Sequence, residues 1–305
     1  AHSIQKSGAL NSIAHNGHVY RLTAELSRLK KNKGKAIFHK IGINKASTFL
    51  GFCEKHDNDL FEPIDNYPLI PTDQQIFLYG YRSLCRELFV KENALNVTDK
   101  LIKDGPNQKA IKELLLKVSR GYSFGLNNLQ IHKSKYDAFL KMGKYQDIKY
   151  VIFRSTQKPT IAFSGILFPD YDFLGRRLQD LGDLNTELEM ITFCSAPTSM
   201  GWAFSFSWYE LNKKVCINFM KSLTTIMDEN KKLSDMLFRF VIANCENHAI
   251  SPLWWDSLPV IHKEQIIEKA NVGVDLFSNL TPTYLMHGLE GISDWKFNDL
   301  ISNIE

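Results

Sequence analysis

From Gly201 to Tyr209 the chain reads Gly-Trp-Ala-Phe-Ser-Phe-Ser-Trp-Tyr, so Trp202, Phe204, Phe206 and Trp208 alternate with Ala203, Ser205 and Ser207. Successive side chains of an extended strand point to opposite faces, which makes this run a strand with one large aromatic face. An antiparallel meander with one face packed on helices accommodates it. The same two-residue period marks a strand from Ile148 to Arg154, a turn over Ser155 to Pro159, a strand from Thr160 to Leu167 and a third candidate from Glu189 to Phe193.

Helical spacing flanks these strands. Thr72-Asp73-Gln74-Gln75 reads as a capping box, followed by Ile76, Phe77, Tyr79, Gly80, Leu84, Leu88 and Phe89 at helical intervals. Pro106 suits a first helical position. Ile111, Leu114, Leu115 and Val118 follow it, and after a break at Gly121 the pattern runs from Phe124 to Met142. Residues 72–145 therefore read as a helical hairpin, and helices return at about 213–231, 232–243 and 263–271. The fold class expected is α+β. A small N-terminal module occupies residues 1–70, with Pro63 to Pro71 as its boundary. Residues 71–305 form the body, with helices at 72–145, antiparallel strands at 146–210 and helices at 211–305.

Composition narrows the function classes. A chain of 305 residues, 44% hydrophobic and 23% charged, is neither disordered nor fibrous and can bury one or two cores. Five scattered cysteines make no disulfide scaffold and point to a reducing, cytoplasmic setting. The longest uncharged stretch, Met190 to Tyr209, contains Pro197 and Gly201 and reads as turn plus strand, so no membrane partner is expected. The first 30 residues lack the apolar core of a signal peptide. No phosphate-binding glycine loop, nucleophile elbow or His-Glu-x-x-His helix is present.

Charge is unevenly placed. Residues 1–50 hold nine Lys and Arg against one acid, Glu25, so this segment carries +8 of a chain whose net charge is +4. Arg28, Lys30, Lys31, Lys33 and Lys35 cluster around Gly34, between two short apolar pieces that form a hairpin. A basic tip on an acidic body is the footprint of phosphate-backbone contact, which makes nucleic acid the expected partner. A solvated hairpin turn, with lysines blunting a sheet edge, explains the same residues.

Cys53-Glu-Lys-His56-Asp57 is the sharpest chemical motif. A thiolate and an imidazole at this spacing on a tight knuckle both reach one zinc ion at about 2.0–2.3 Å. Two further ligands would come from upstream of Ala1 or from His2, His15, His18 or His39. Asn16-Gly17 favours a tight turn that brings His15 and His18 together.

On these residues the N-terminal segment resembles the HNH/treble-clef nucleases. Ala1-His2-Ser3-Ile4-Gln5 stands where that family has Asp-His-x-x-Pro, Asn44 matches its middle asparagine, and Phe52 to Asp57 matches its second knuckle and helix start. The resemblance implies His2 as the general base activating water and Asn44 as its orienting partner. It implies Asp57 helping to hold a divalent ion such as magnesium on the scissile phosphate, with Cys53 and His56 as structural zinc ligands. It departs from the family at Ala1, which replaces an acid, and at Asp57, which replaces a third histidine. A head that cuts or grips nucleic acid, joined to a body sensing a trigger or partner, suits a microbial defence or toxin effector. The rival expectation is a non-catalytic zinc-containing subunit of a complex, docked through the Trp202/Phe204/Phe206/Trp208 face or through Trp254 and Trp255.

Three other constellations stand out. Cys245-Glu246-Asn247-His248 repeats the Cys-x-x-His spacing at the end of an apolar helix, where a buried structural cysteine is the plain reading. Trp254 and Trp255 offer a stacking surface or pin a loop to the core. Asp170, Asp172, Arg176, Arg177 and Asp180 read as the acidic mouth of a helix starting near Tyr171, or as a metal pair with a phosphate clamp.

Overall fold

The computed structural model describes residues 1–23, 32, 34–105, 108–183, 185–210, 213–228, 232–272 and 280–304. After a wound segment at Lys6–Leu10 and Asn11–Ile13 come strands β1 (His18–Thr23) and β2 (Ile37–Gly42). Helices α1 (Glu54–Asp65), α2 (Asp73–Asp104) and α3 (Lys109–Met142) follow, then strands β3 (Ile148–Ser155), β4 (Ile161–Leu167), β5 (Ile191–Thr198) and β6 (Gly201–Tyr209). The chain continues through α4 (Lys213–Asp228), α5 (Leu233–Asn244), β7 (His248–Ile250), α6 (Pro252–Ser257), α7 (Val260–Val272) and β8 (Asp299–Ser302). The fold is α+β. No helix among the described residues is long and apolar enough to cross a membrane.

All eight strands join one antiparallel sheet, in the order β2-β1-β7-β4-β5-β6-β3-β8. The aromatic face of β6 lies at its centre. Phe204 and Phe206 pack against Phe240 of α5, Phe206 also meets Phe219 of α4, and Trp202 stands edge-on to Trp295. The four alternating rings of β6 are all buried. This corrects the expectation that the face docks another subunit: the chain's own helices cover it.

The small residues of β6 face α2. Ser207 Oγ lies 2.6 Å from Thr192 Oγ1, and Ser83 of α2 reaches Ser164 of β4 at 2.8 Å. Gly80 sits over this hydroxyl row, where an added Cβ would come within 3.0 Å of Thr192 Oγ1. A glycine in mid-helix thus lets α2 lie close on the sheet. Thr72 caps the helix as its sequence predicts, accepting from Gln75 N–H at 3.3 Å. The buried Gln75 side chain also stitches the Pro63 to Pro71 connection, donating to Pro63 O and Pro68 O and accepting from Ile70 N–H.

Three expectations change. Strands are not confined to 146–210, because β1, β2, β7 and β8 extend the sheet at both ends. No helix starts near Tyr171. The buried Asp172 instead closes a tight loop, accepting from Leu174 N–H and Arg176 N–H at 2.9 Å and from Arg176 Nε at 2.7 Å. Glu189 lies ahead of its strand and turns to the N-terminus of α4, accepting from Val215 N–H at 2.6 Å.

Candidate functional site

The first residues run beside the turn that follows β2. His2 bridges Thr48, Ser3 N–H donates to Ser47 O at 2.9 Å, and Ile4 N–H donates to Ser47 Oγ at 2.9 Å. This pairing holds the His2 ring against the turn, with Nε2 3.2 Å from Ile43 O. A carbonyl only accepts, so Nε2 carries the proton and Nδ1 is the basic nitrogen. Burial lowers the His2 pKa below its ordinary 6.5, outweighing the opposing effects of the Ile43 bond and Asp57. Asn44, next in the turn, is exposed.

Asp57 approaches from the first turn of α1. Its Oδ2 is 3.5 Å from the Ala1 main-chain nitrogen, and its Oδ1 is buried with no hydrogen-bond partner among the described residues. His2, the Asn44 turn and Asp57 therefore gather at one end of α1.

Cys53 is the residue immediately before α1, and His56 lies on its first turn; both are exposed. Cys53 Sγ is 3.3 Å from His56 Nδ1. Zinc–sulfur and zinc–nitrogen bonds of about 2.3 and 2.0 Å at a tetrahedral angle put the two donors about 3.5 Å apart. The observed 3.3 Å is close to that separation and is equally the length of a thiol–imidazole hydrogen bond. No group of three or more His, Cys, Asp or Glu side chains is placed to hold a metal among the described residues. His15 and His18 flank the Asn16-Gly17 turn, where both central residues have positive φ, and stay exposed.

Of the basic cluster, Lys35 is exposed beside a turn in which its N–H donates to Asn32 O at 3.0 Å. Arg28, Lys30, Lys31 and Lys33 lie outside the described residues. The hairpin itself is at the sheet edge, because β2 is the terminal strand.

Cys245 and His248 are both buried. Trp255 packs on Tyr20 and Phe38, and Trp254 on Phe238, so this tryptophan pair belongs to the core.

The sequence offers a polar pocket around Glu246, His248 and Trp254 as a further candidate site, but not the cluster of charges from distant segments that surrounds Glu246. Arg21 comes from β1, Arg86, Glu87 and Lys91 from α2, and Tyr122 from α3. Glu246 keeps contact with solvent, yet the surrounding protein raises its pKa, and the Glu87 charge adds to this. Burial, with the nearby Arg86 charge, lowers the Arg21 pKa to about 10. Arg86 contacts Glu87, Arg21 Nη2 reaches Asn247 Oδ1 at 3.5 Å, and Arg21 Nε has no partner among the described residues. Asn247 ties this cluster to the N-terminal segment, donating to Ser3 Oγ at 2.8 Å and Ser164 O at 3.1 Å. Arg21 and Arg86 are 65 positions apart with no shared motif, and only the packing of α2 on the sheet makes them neighbours.

No family model matches the chain, and no curated protein or solved structure matches it significantly.

Proposed function

We propose that the protein acts on nucleic acid through its N-terminal segment, as an HNH-like, metal-assisted head on a partner- or trigger-binding body. The observation that carries this reading is the gathering of His2, the Asn44 turn and Asp57 at the end of α1 that also bears the Cys53–His56 pair. The basic residues between the two strands of the edge hairpin, with Arg21 and Arg86 beside Glu246, supply phosphate contacts.

In this reading His2 Nδ1 takes a proton from water as the water oxygen bonds to phosphorus, and the bond to the leaving oxygen breaks. Burial keeps the imidazole neutral and ready to accept that proton at neutral pH. Ile43 O fixes the tautomer, and Asn44 orients the water. Asp57 is the side chain that would hold a divalent ion such as magnesium, which neutralises charge on the phosphate when bound. Cys53 and His56 would hold a structural zinc. A microbial defence or toxin effector is the setting such a head suits.

The test is metal content of the purified full-length protein by plasma mass spectrometry, paired with nicking of supercoiled plasmid. About one zinc per chain, lost in Cys53→Ser, and magnesium-dependent nicking lost in His2→Ala are expected. Absence of both zinc and nicking overturns the proposal. The departures from the family pattern at Ala1 and Asp57 favour a second reading, a non-catalytic zinc-containing subunit that binds nucleic acid or protein. Zinc with salt-sensitive binding but no cutting would establish it.

A further inference from the structure

A cavity of about 510 Å³ opens between the end of α4, the first turns of α5 and the loop after Leu285. Phe173, Ile226, Met236 and Met286 make its apolar walls, and Lys232, Asp235, Arg239, His287 and Glu290 its polar side. The volume lies within the range of small-molecule sites, and methionines adapt to irregular ligands.

The two charged residues differ in how they are satisfied. Arg239, 2% exposed, donates from Nε to Gly288 O at 2.5 Å, from Nη1 to Leu285 O at 2.8 Å and from Nη2 to Glu290 Oε1 at 2.6 Å. Its charge is engaged first by Glu290 and also by Asp235, although it gives Asp235 Oδ1 no hydrogen bond. Asp235, only 7% exposed, has a buried Oδ1 with no hydrogen-bond partner among the described residues. A buried carboxylate oxygen without a donor is costly, and an N–H from a cation is its strongest complement.

We propose that this cavity binds a small organic cation, an amine, amidine or guanidine on an apolar body. The N–H head donates to Asp235 and the body packs against Phe173, Ile226 and the two methionines. Lys232 at the rim leaves room for a polar tail that reaches solvent. The site belongs to the body and does not rest on the nucleic-acid reading.

Benzamidine, benzamide and benzoate share one ring and differ in the head group, so they test the claim directly. With methyl-labelled methionine, benzamidine should shift the Met236 and Met286 signals saturably at millimolar concentration, benzamide more weakly, and benzoate not at all. Asp235→Asn should weaken benzamidine about ten- to a hundredfold, the loss expected for one charge-assisted hydrogen bond. Met286→Trp, which fills the cavity and leaves Asp235 in place, should block binding if Asp235→Asn fails to fold. Equal binding of all three probes, tighter benzoate, or methionine signals that do not move would each overturn the proposal.

Discussion

Arg82 and Asp65 form a two-pronged ion pair, Nη1 to Oδ1 at 2.7 Å and Nη2 to Oδ2 at 2.6 Å, joining α2 to the end of α1. The guanidinium is 1% exposed and lies 4.0 Å over the Phe61 ring, so it is held by charge on one side and by an aromatic face on the other. Removing Asp65 strands a buried cation. Asp65→Asn should cost about 2 kcal/mol, less than a fully buried pair because Asp65 keeps solvent contact. Urea unfolding would read it, and a loss below about 0.5 kcal/mol would show that water replaces the carboxylate.

The β5–β6 turn depends on Gly201. At φ +147° an added Cβ would sit 2.1 Å from Ser155 O, with no flexible side chain to yield. Gly17, at φ +70°, has nothing within 4 Å. Gly201→Ala should therefore cost about 3 kcal/mol and Gly17→Ala about 1 kcal/mol. Paired thermal melts would check the order.

His248 makes stability depend on pH. Burial is the main cause lowering its pKa from 6.5 to about 4, against the opposing bond to Cys245 O, and the Arg21 charge lowers it further. The unfolded state takes the proton first. Stability is therefore complete above pH 6.5 and falls as pH drops towards 4, by about 3 kcal/mol in all. Urea unfolding of the wild type and His248→Gln at a series of pH values should show a steeper acid loss in the wild type, since the lowered His2 and His132 act in both. Parallel curves would refute it.

If His2 is the base, nicking should fall as acid protonates its ring, with the midpoint below pH 6.5 because burial lowers its pKa. His2→Ala should reduce the rate about a hundredfold or more. A pH profile unchanged in His2→Ala would assign the chemistry elsewhere.

Arg21 stands in the charge cluster around Glu246, and its buried Nε has no partner among the described residues. Arg21→Gln should weaken nucleic-acid binding and reduce the slope of log affinity against log salt by about 1. Fluorescence anisotropy on a short duplex would measure both, and an unchanged slope would place the phosphates away from Arg21.

Local chemistry was legible wherever one residue type dictates backbone shape. Thr72 caps α2, Asn16-Gly17 turns the chain with two positive φ values, and the aromatic alternation from Trp202 becomes β6. Short elements carry no period to read. β7 spans three residues and β8 four, yet β7 is the strand that connects the N-terminal hairpin to the sheet. Asp172 misled because an acid at a helix start and an acid closing a loop make the same kind of bond to backbone N–H groups.

The α+β class, the basic N-terminal segment and the Cys53–His56 spacing were readable from the chain, because period, charge and spacing are local. The tertiary structure alone decided that β6's aromatic face is covered from within, that Arg21 meets Arg86 beside Glu246, and that Asp235 lines a cavity without a donor. Those outcomes depend on which distant segments pack together, and burial then sets what each charge can do.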